Sequence, residues 1–448
     1  MLSYYKENTQ LFLVLFIWLV VGILGGPVSY VLVPMTMFLM HKQGMFEELL
    51  IGYFFVLILS DSLEDHLLFA KNLKNVYISV LAIFFFLDTN SFYPLNRLYK
   101  TYLLFFLFSI FTLTFSLKEP FILVAIEKTI SYIISFLIVP NLITKLYREE
   151  GVEFFRRIVY FIFNTLLVGF VLKVVANNIA SLDSGRFRGV FGNPNGLGMF
   201  VFLFFIAYYV LNDFYPKLFS KTENIMIYGS MLLSIYLTQS RNALLGILIF
   251  YIFQRFFNLS PLLGFMLFVI VLFVSEVISN NLTSIIIKLG LGGFFRVKTL
   301  DNGSGRYIAW AFAWKQIQLN FFIGKGFSYN EYYMRLHYAQ LNKMGHQGGI
   351  HNSFLTFWMD QGLIGLIIYL RSYIIMFIKA AKKTRFSFPI MFAISFTAFF
   401  ESWLVGSLSA FAFLGLFIFT LITSDEIIAM NTDEETEPTN YMVTQNVD

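Results

Sequence analysis

LFLVLFIWLVVGILGGPVSYVLVPMTMFLM, residues 11–40, contains no charged residue. About 20 consecutive apolar residues are enough for a helix to cross the hydrocarbon core of a bilayer. Other charge-free stretches occupy Asn224–Ser240, Phe256–Ser275 and Ser402–Ser424. Of all 448 residues, 58% are hydrophobic and only 13% are charged, too few to cover a soluble protein of this size. The sequence therefore predicts an all-α, polytopic integral membrane protein with about 12–14 transmembrane helices.

The chain is predicted to form one transmembrane domain, residues 1–424, followed by an acidic, disordered, cytoplasmic tail, residues 425–448. The first apolar stretch is too long for a cleavable signal peptide, and no small-residue cleavage site follows it, so we expect an uncleaved first helix. Cysteine is absent, which excludes disulfides and thiol nucleophiles. The net charge of +5 does not indicate nucleic-acid binding, because the basic residues lie mostly in loops beside membrane helices.

Two basic loops predict the orientation in the membrane. Lys145–Arg157 and Lys379–Arg385 each contain four lysine or arginine residues, and short loops of this kind remain in the cytoplasm. An even number of predicted spans separates them, so both lie on the same side. The opposite, outer face then carries Gly185–Asn195, the turn around Arg241, and a large external loop, residues 279–350, with short amphipathic helices.

Four arginines on this predicted outer face break the positive-inside rule: Arg186, Arg188, Arg241 and Arg306. An arginine at membrane depth costs about 2.5–3.5 kcal/mol unless it snorkels or finds a partner. Snorkelling remains open for Arg186 and Arg188, but it explains Arg241 less well because the turn TQSRNALLG is tight. Guanidinium groups bind phosphate through bidentate, charge-assisted hydrogen bonds, so the cluster favours a diphosphate ligand.

The first of these outer segments is GRFRGVFGNPNGLG, residues 185–198, directly before an apolar run. Its Asn-Pro-Asn-Gly is typical of a helix start, and we predict Asn195 as the N-cap. A helix N-terminus attracts anions, which agrees with a phosphate ligand. The stretch lacks the GxxxxGK[ST] pattern, so it does not indicate nucleotide binding.

Histidine is scarce, and His351 begins HNSFLTFWMDQGLIGLIIYL at the predicted outer end of a span. A lone histidine there can snorkel or bond a carbonyl group. Because His351 shares a face with Arg241 and Arg306, the alternative is a general base. His337, His346 and His351 match no common zinc-ligand spacing, so we predict no metal site.

Two further features of the outer face bear on the site. Tyr307, Trp310, Trp314 and Ile317 recur at helical spacing, which predicts a helix lying in the membrane interface. Glu401, in FFESWLVGS near the outer end of a late span, is an intramembrane acid. It is a candidate partner for an arginine or for the histidine.

The motifs RFRGVFGNPNGLG, LTQSRNALLG, SGRYIAW with FFIGKGF, and HNSFLTFWMDQGLIGL, in this order, resemble the O-antigen ligase and polymerase superfamily. These bacterial inner-membrane glycosyltransferases have a metal-independent, GT-C-like helical fold. The resemblance implies a glycan donor linked to undecaprenyl diphosphate, an acceptor that is a glycan or lipid A–core, no cofactor, and an active site facing the periplasm or exterior. Membrane lipids and a chain-length regulator are the other expected partners.

The resemblance also implies roles for single residues. Arg241 and Arg306 would bind the pyrophosphate of the donor, and His351 would deprotonate the acceptor hydroxyl, so we predict these three as catalytic. Either Arg186 or Arg188 corresponds to the arginine before the NPN stretch. The predicted substrate-binding residues are Arg186, Arg188, Asn193, Asn195 and Asn352. Preplaced arginines would stabilise the charge on a lipid-diphosphate leaving group, and attack from the opposite face would invert the anomeric centre.

Three functions fit these observations. A polymerase transfers the growing lipid-linked chain onto the next repeat unit of an O-antigen, capsule or exopolysaccharide, and a ligase transfers the finished chain onto lipid A–core. No residue separates these two, and we favour the polymerase because polymerases are numerous and diverse. The third is a transporter or flippase of the lipid-linked oligosaccharide. Transporters usually show internal repeats and polar residues near the midplane, and the sequence indicates neither.

Overall fold

The computed structural model describes residues 2–88, 95–182, 184–257, 260, 262–271, 273–274, 305–346 and 348–428. Within these ranges the backbone is helical with short connections, and its only β-type pairing is an isolated bridge between Ser181 and Phe187. The predicted all-α fold is confirmed. The helices are α1 Leu2–Glu7, α2 Thr9–Gly25, α3 Ser29–Lys42, α4 Phe46–Asp61, α5 Leu68–Leu87, α6 Leu98–Thr112, α7 Ile122–Glu150, α8 Val152–Val175, α9 Asn177–Ala180, α10 Pro194–Phe214, α11 Lys221–Thr238, α12 Arg241–Phe257, α13 Leu262–Val271, α14 Arg306–Leu319, α15 Tyr329–Leu336, α16 Tyr338–Lys343, α17 Ser353–Ala381, α18 Ser387–Phe400 and α19 Ala410–Thr423.

Seven helical segments of the described chain are long and apolar enough to cross a membrane. Shorter apolar helices are α13, α18 and α19. The protein is therefore a multi-pass membrane protein, and the number of about 12–14 spans stays a prediction. The predicted external loop is described only from residue 305 onward, and the predicted tail only as far as residue 428. The seven segments are Thr9–Lys42, Asp65–Leu87, Leu98–Ser116, Ile122–Glu150, Val152–Val175, Pro194–Phe214 and Ser353–Ala381.

Helix α10 occupies the centre of the bundle. About 72% of its apolar stretch is buried, against 22% for Thr9–Lys42, so α10 is largely enclosed by other parts of the protein. It packs against α11, α12 and α19. Gly198 permits the closest of these approaches, because a Cβ there would lie 2.4 Å from the Cβ of Ser240. A glycine of the NPNGLG stretch thus lets α10 pack against the turn that carries Arg241.

The two predicted cytoplasmic loops lie at the same end of the bundle. Arg148, from the first loop, forms an ion pair with Glu426, and Lys383, from the second, pairs with Asp425. Helix α19 runs from this end to Ser409 at the other. The segments predicted to be periplasmic meet at that other end, where Asn242 contacts Thr397 and Arg306 contacts Glu401. The packing agrees with the predicted sidedness, although the direction across the membrane stays a prediction.

Helix α17 is broken at Gly362, whose φ of 71° and ψ of 178° are non-helical. The FFIGKGF segment of the external loop fills the break. The backbone N–H groups of Leu363 and Ile364 donate to the carbonyl oxygens of Phe321 (2.9 Å) and Phe322 (3.2 Å). Broken helices are tolerated at membrane depth where protein satisfies the freed backbone groups, and here the external loop does so.

Asp360, two residues before the break, fastens the next part of the loop. Its fully buried carboxylate accepts the N–H groups of Ser328 (3.2 Å) and Asn330 (2.7 Å) and the Asn330 side-chain amide (2.8 Å). The carbonyl oxygen of Asp360 accepts the N–H of Gly326 at 2.7 Å. The loop between α14 and α15 is therefore clamped onto α17, which begins just after His351.

Candidate functional site

The carboxylate of Glu401, at the end of α18, lies between two of the predicted catalytic residues. Arg306 Nη2 donates to Glu401 Oε1 at 2.9 Å, and His351 Nδ1 lies 3.1 Å from Glu401 Oε2. The side chains are 15% exposed for Glu401, 21% for Arg306 and 34% for His351, so the acid is the most enclosed of the three. The structure thus brings a cation and a histidine together through one carboxylate that contacts both.

His351 lies immediately before α17 with a φ of 51°, a left-handed conformation that few non-glycine residues adopt. The following residues hold it there. The Asn352 side chain caps α17 by accepting the N–H of Leu355 at 3.0 Å, and the Asn352 N–H donates to Ser402 Oγ at 3.0 Å. Asn352 therefore sets the helix start beside Glu401, and its predicted binding of substrate stays a prediction.

Arg306 is the first residue of α14 and follows Gly305, which has a φ of 77°. Its guanidinium carbon lies 5.8 Å from the centroid of the Phe400 ring, within the range of a cation–π contact. One turn further along α14, Trp310 Nε1 donates to the carbonyl oxygen of Ile350 at 3.0 Å. The same short helix therefore supplies Arg306 and anchors the residue before His351.

The predicted interfacial stripe on α14 is wrong in part. Ile317 is fully buried, and Trp310 is tied to Ile350, because α14 packs against α17. Tyr307 and Trp314 remain 55% and 40% exposed. Helical spacing showed that these side chains share a face, but not that part of this face is covered by protein.

Arg241 is the first residue of α12 and follows a turn in which Gln239 has a φ of 52°. Its neighbour Asn242 donates from Nδ2 to the carbonyl oxygen of Thr397 at 3.2 Å. Thr397 lies one helical turn before Glu401, so the start of α12 lies beside the end of α18. The turn is therefore at the same end of the bundle as Arg306, Glu401 and His351.

Arg186 and Arg188 are both 8% exposed, so snorkelling to water does not describe them. Arg186 Nε donates to the carbonyl oxygen of Thr238 at 2.9 Å, close to the Arg241 turn. Arg188 Nε donates to the carbonyl oxygen of Ile179 at 2.9 Å, and its Nη2 donates to Glu64 Oε1 at 2.7 Å. These contacts fix the loop against α9 and α11, and a role in substrate binding stays a prediction.

The predicted N-cap Asn195 is wrong by two residues. Asn193 caps α10 by accepting the N–H of Gly196 at 2.8 Å, and Pro194 occupies the first helical position. Proline favours that position because its fixed φ suits a helix and its missing N–H needs no partner. Asn195 Oδ1 instead accepts Arg186 Nη2 at 2.9 Å. Both asparagines of the NPN stretch thus hold the loop and the helix together.

His346 lies beside the site and is only 1% exposed. Its Nε2 is 3.1 Å from the carbonyl oxygen of Gly349, and its Nδ1 lies beside Gly305. The rings of His346 and His351 are 6.2 Å apart and nearly perpendicular. Among the described residues, no group of three or more His, Cys, Asp or Glu is placed to hold a metal ion.

Burial lowers the pKa of His346 below its ordinary value of 6.5, and a charge on His351 lowers the pKa further. The unfolded chain then binds more protons than the folded chain, so this residue's contribution to stability falls as the pH drops through 6.5 and below. We expect the amide protection factors of residues 341–346 and 348–350, in which each exchange rate is compared with the intrinsic rate at the same pH, to fall from pH 7.5 to 5.5, and less so in His346→Gln. Equal pH dependence in the two proteins, followed by mass spectrometry, would contradict this expectation.

Sequence reasoning missed several residues of the site. Asn242, Trp310 and Ser402 each connect one site segment to another through hydrogen bonds with residues far away in the chain, whereas His346 contacts Gly349 and the His351 ring within its own loop. Their signal was weak, because the type of a single polar or aromatic residue does not show which group it will contact. The acid Glu401 was the only positioning group that composition singled out, since an intramembrane carboxylate is costly without a partner.

Together these features define a multi-pass all-α membrane protein in which loops at one end of the bundle converge on an arginine–glutamate–histidine group. Residues 226–370 match the family model described as O-antigen ligase. This match supports the resemblance of these residues to the O-antigen ligase and polymerase superfamily and, with it, an activity of the ligase or polymerase type in general. The matched region includes Arg241, Arg306 and His351, whereas Glu401 lies beyond it. Comparison with curated proteins gave no significant match.

Proposed function

We propose that the protein is a metal-independent, inverting glycosyltransferase that polymerises surface-polysaccharide repeat units on the outer face of the bacterial inner membrane. Its donor would be a glycan linked to undecaprenyl diphosphate. The observation that carries the proposal is the contact of one carboxylate, Glu401, with both Arg306 and His351. Through Glu401, the arginine that would bind phosphate is connected to the histidine that would act as the general base.

The base function follows from the tautomer that Glu401 favours. When His351 Nδ1 carries the proton and donates to Glu401, the lone pair of the neutral ring is on Nε2. Nε2 then takes the proton of the acceptor hydroxyl as the new glycosidic bond forms. The imidazolium produced is stabilised by the adjacent carboxylate, as in other sites where an acid orients a catalytic histidine.

The leaving group explains the need for cations. As the acceptor oxygen bonds the anomeric carbon, the bond from that carbon to the diphosphate oxygen breaks, and the diphosphate leaves with the electron pair. Arg306 and Arg241 would stabilise the growing negative charge through charge-assisted hydrogen bonds. The energy comes from the sugar–diphosphate bond, so the step needs no nucleotide.

A ligase is the second candidate, because the family model that matches residues 226–370 is described as O-antigen ligase. The chemistry at His351 and the two arginines would be the same, and only the acceptor would differ. Purified protein in liposomes should therefore be offered lipid-linked repeat units and lipid A–core separately. Dependence of product on lipid A–core would replace the polymerase by the ligase.

The proposal is tested by comparing glycan transfer in proteoliposomes for the wild type and for Arg241→Ala, Arg306→Ala and His351→Ala at matched protein amounts. We expect each substitution to reduce transfer by about 10²–10⁴-fold, because each removes a group that acts on charge or a proton in the transition state. Two substitutions serve as matched controls: Arg255→Ala, at the opposite end of α12, and His66→Ala, at an exposed position. Near-wild-type transfer by all three site variants would show that these residues are only interfacial anchors. Movement of lipid-linked oligosaccharide across the bilayer without a new glycosidic bond would instead favour a transporter.

A further inference from the structure

Gly348, three residues before His351, lies directly against the ring nitrogen of His351 that would act as base. Gly348 has a φ of 116°, and a Cβ built on its backbone would lie 3.0 Å from His351 Nε2 and 3.8 Å from Cε1. The other ring nitrogen, Nδ1, faces Glu401 on the opposite edge of the imidazole. The space beside Nε2 therefore exists because residue 348 has no side chain.

That space has the dimensions that proton transfer requires. A general base takes a proton from a hydroxyl whose oxygen lies about 2.6–3.2 Å away. The missing Cβ of Gly348, at 3.0 Å from Nε2, falls inside this range. A methyl group and the acceptor oxygen would compete for the same volume.

The loop that carries Gly348 is held in place on both sides. His346 lies within hydrogen-bond distance of the Gly349 carbonyl oxygen at 3.1 Å, and its ring packs edge to face against His351. On its other side, His346 abuts Gly305, where a Cβ would lie 3.3 Å from His346 Nδ1. The position of Gly348 is thus fixed relative to both Arg306 and His351.

We propose that Gly348 is a specificity-determining residue, whose bare backbone forms the floor of the subsite where a sugar hydroxyl of the acceptor reaches His351 Nε2. This inference rests on the proposed function, because it takes His351 as the base. This subsite holds a hydroxyl group of the acceptor. The donor diphosphate lies outside it, bound by the arginines. A side chain at position 348 should consequently impair use of the acceptor without weakening donor binding.

The loop provides two matched controls for the substitution Gly348→Ala. Gly345 also has a positive φ, 92°, but a Cβ there meets no atom of the described residues within 4 Å, so Gly345→Ala reports backbone strain alone. Gly349 has no positive φ, and within the described part of the chain a Cβ there has no neighbour within 4 Å, so Gly349→Ala reports the added methyl alone. The three variants separate the blocked space from the strain.

We expect Gly348→Ala to reduce kcat/KM for the lipid-linked acceptor by about 100-fold, since small displacements of reacting groups cost this much. Binding of undecaprenyl diphosphate, the donor-side probe, should stay at the wild-type level. Gly349→Ala should behave as the wild type, and Gly345→Ala should lose less transfer than Gly348→Ala. Equal losses in Gly345→Ala and Gly348→Ala would assign the effect to strain and overturn the proposal.

A second measurement uses the wild-type protein, so it stands even if Gly348→Ala does not fold. Diethyl pyrocarbonate modifies accessible imidazole nitrogens, and mass spectrometry identifies the modified histidine. The lipid-linked acceptor should protect His351 from modification, while undecaprenyl diphosphate alone should not. Absence of protection by the acceptor would overturn the subsite.

The outcomes also separate this inference from the proposed function. If His351→Ala transfers glycan as well as the wild type, the proposed base is wrong and the subsite loses its basis. If His351→Ala is inactive while Gly348→Ala matches Gly349→Ala, the transferase stands and only the acceptor floor is wrong.

Discussion

Glycan transfer is expected to fall by about three to four orders of magnitude when Glu401 is replaced by glutamine, the loss typical of removing the acid that orients a catalytic histidine. Glutamine keeps the size of the side chain but removes the charge that Arg306 and His351 share. Its amide can also donate to His351 Nδ1, which would move the ring proton to Nε2 and abolish the base. One substitution therefore disturbs both the cation and the base.

The measurement is kcat for transfer in proteoliposomes, with Glu401→Asp and Glu119→Gln as companions. Glu119 also pairs with a cation of the external loop, Lys325, so Glu119→Gln removes a comparable ion pair away from the site. We expect Glu119→Gln to stay within about threefold of the wild type, because exposed or half-exposed ion pairs contribute little. Glu401→Asp keeps the charge but shortens the reach, and it should recover part of the activity. Activity of Glu401→Gln above about a tenth of the wild type would rule out the shared carboxylate as a catalytic support.

The sequence could nominate Glu401 but not its geometry. An acid in an apolar stretch needs a partner, because an unpaired charge there is costly. The sequence contains two candidate partners, an arginine or the histidine. Which one it contacts depends on how the end of α18 meets the starts of α14 and α17, and tertiary packing decides that. The structure shows that both partners are used at once.

Arg186 and Arg188 are residues whose type suggested a phosphate ligand. In the structure they instead contact other residues of the protein. Guanidinium groups bind phosphate, but when buried they also donate to carboxylates and to backbone carbonyl groups of the protein. The carbonyl oxygens of Thr238 and Ile179 accept from Arg186 and Arg188. Backbone acceptors carry no sequence signature, so this outcome could not be predicted from residue types.

The apolar spans were the most predictable part of the fold, because bilayer thickness imposes a minimum length of apolar sequence. The break in α17 was not predictable in the same way. HNSFLTFWMDQGLIGLIIYL is mostly apolar on both sides of Asp360 and Gln361, and a glycine inside it is compatible with an unbroken helix. Only the docked FFIGKGF segment, whose carbonyl groups accept the N–H groups of Leu363 and Ile364, shows why Gly362 leaves the helical conformation.

This break gives the second large expected effect: Gly362→Ala should prevent the external loop from docking. A Cβ at this position would lie 2.4 Å from the carbonyl oxygen of Phe322 and 2.6 Å from the N of Gly324, both backbone atoms that cannot rotate away. The φ of 71° adds strain for any residue with a side chain. Together the clash and the strain should destabilise the fold by about 2–6 kcal/mol.

Gly229→Ala is the matched control, because Gly229 lies inside α11 and a Cβ there meets no other described residue within 4 Å. It should leave stability unchanged or raise it slightly, since alanine favours a helix by about 1 kcal/mol over glycine. Thermal unfolding in detergent gives the global effect. Amide exchange of Leu363 and Ile364 reports the docked segment itself, and both amides should lose protection in Gly362→Ala.

The same variant also tests whether docking of the loop serves the site. The FFIGKGF segment follows α14, whose first residue is Arg306, so its release from α17 should free Arg306 from Glu401. Transfer should then fall even at a temperature where the protein remains folded, with a weaker affinity for undecaprenyl diphosphate. A folded Gly362→Ala protein with rapid exchange at Leu363 and Ile364 but full activity would mean that Arg306 is held by α14 alone.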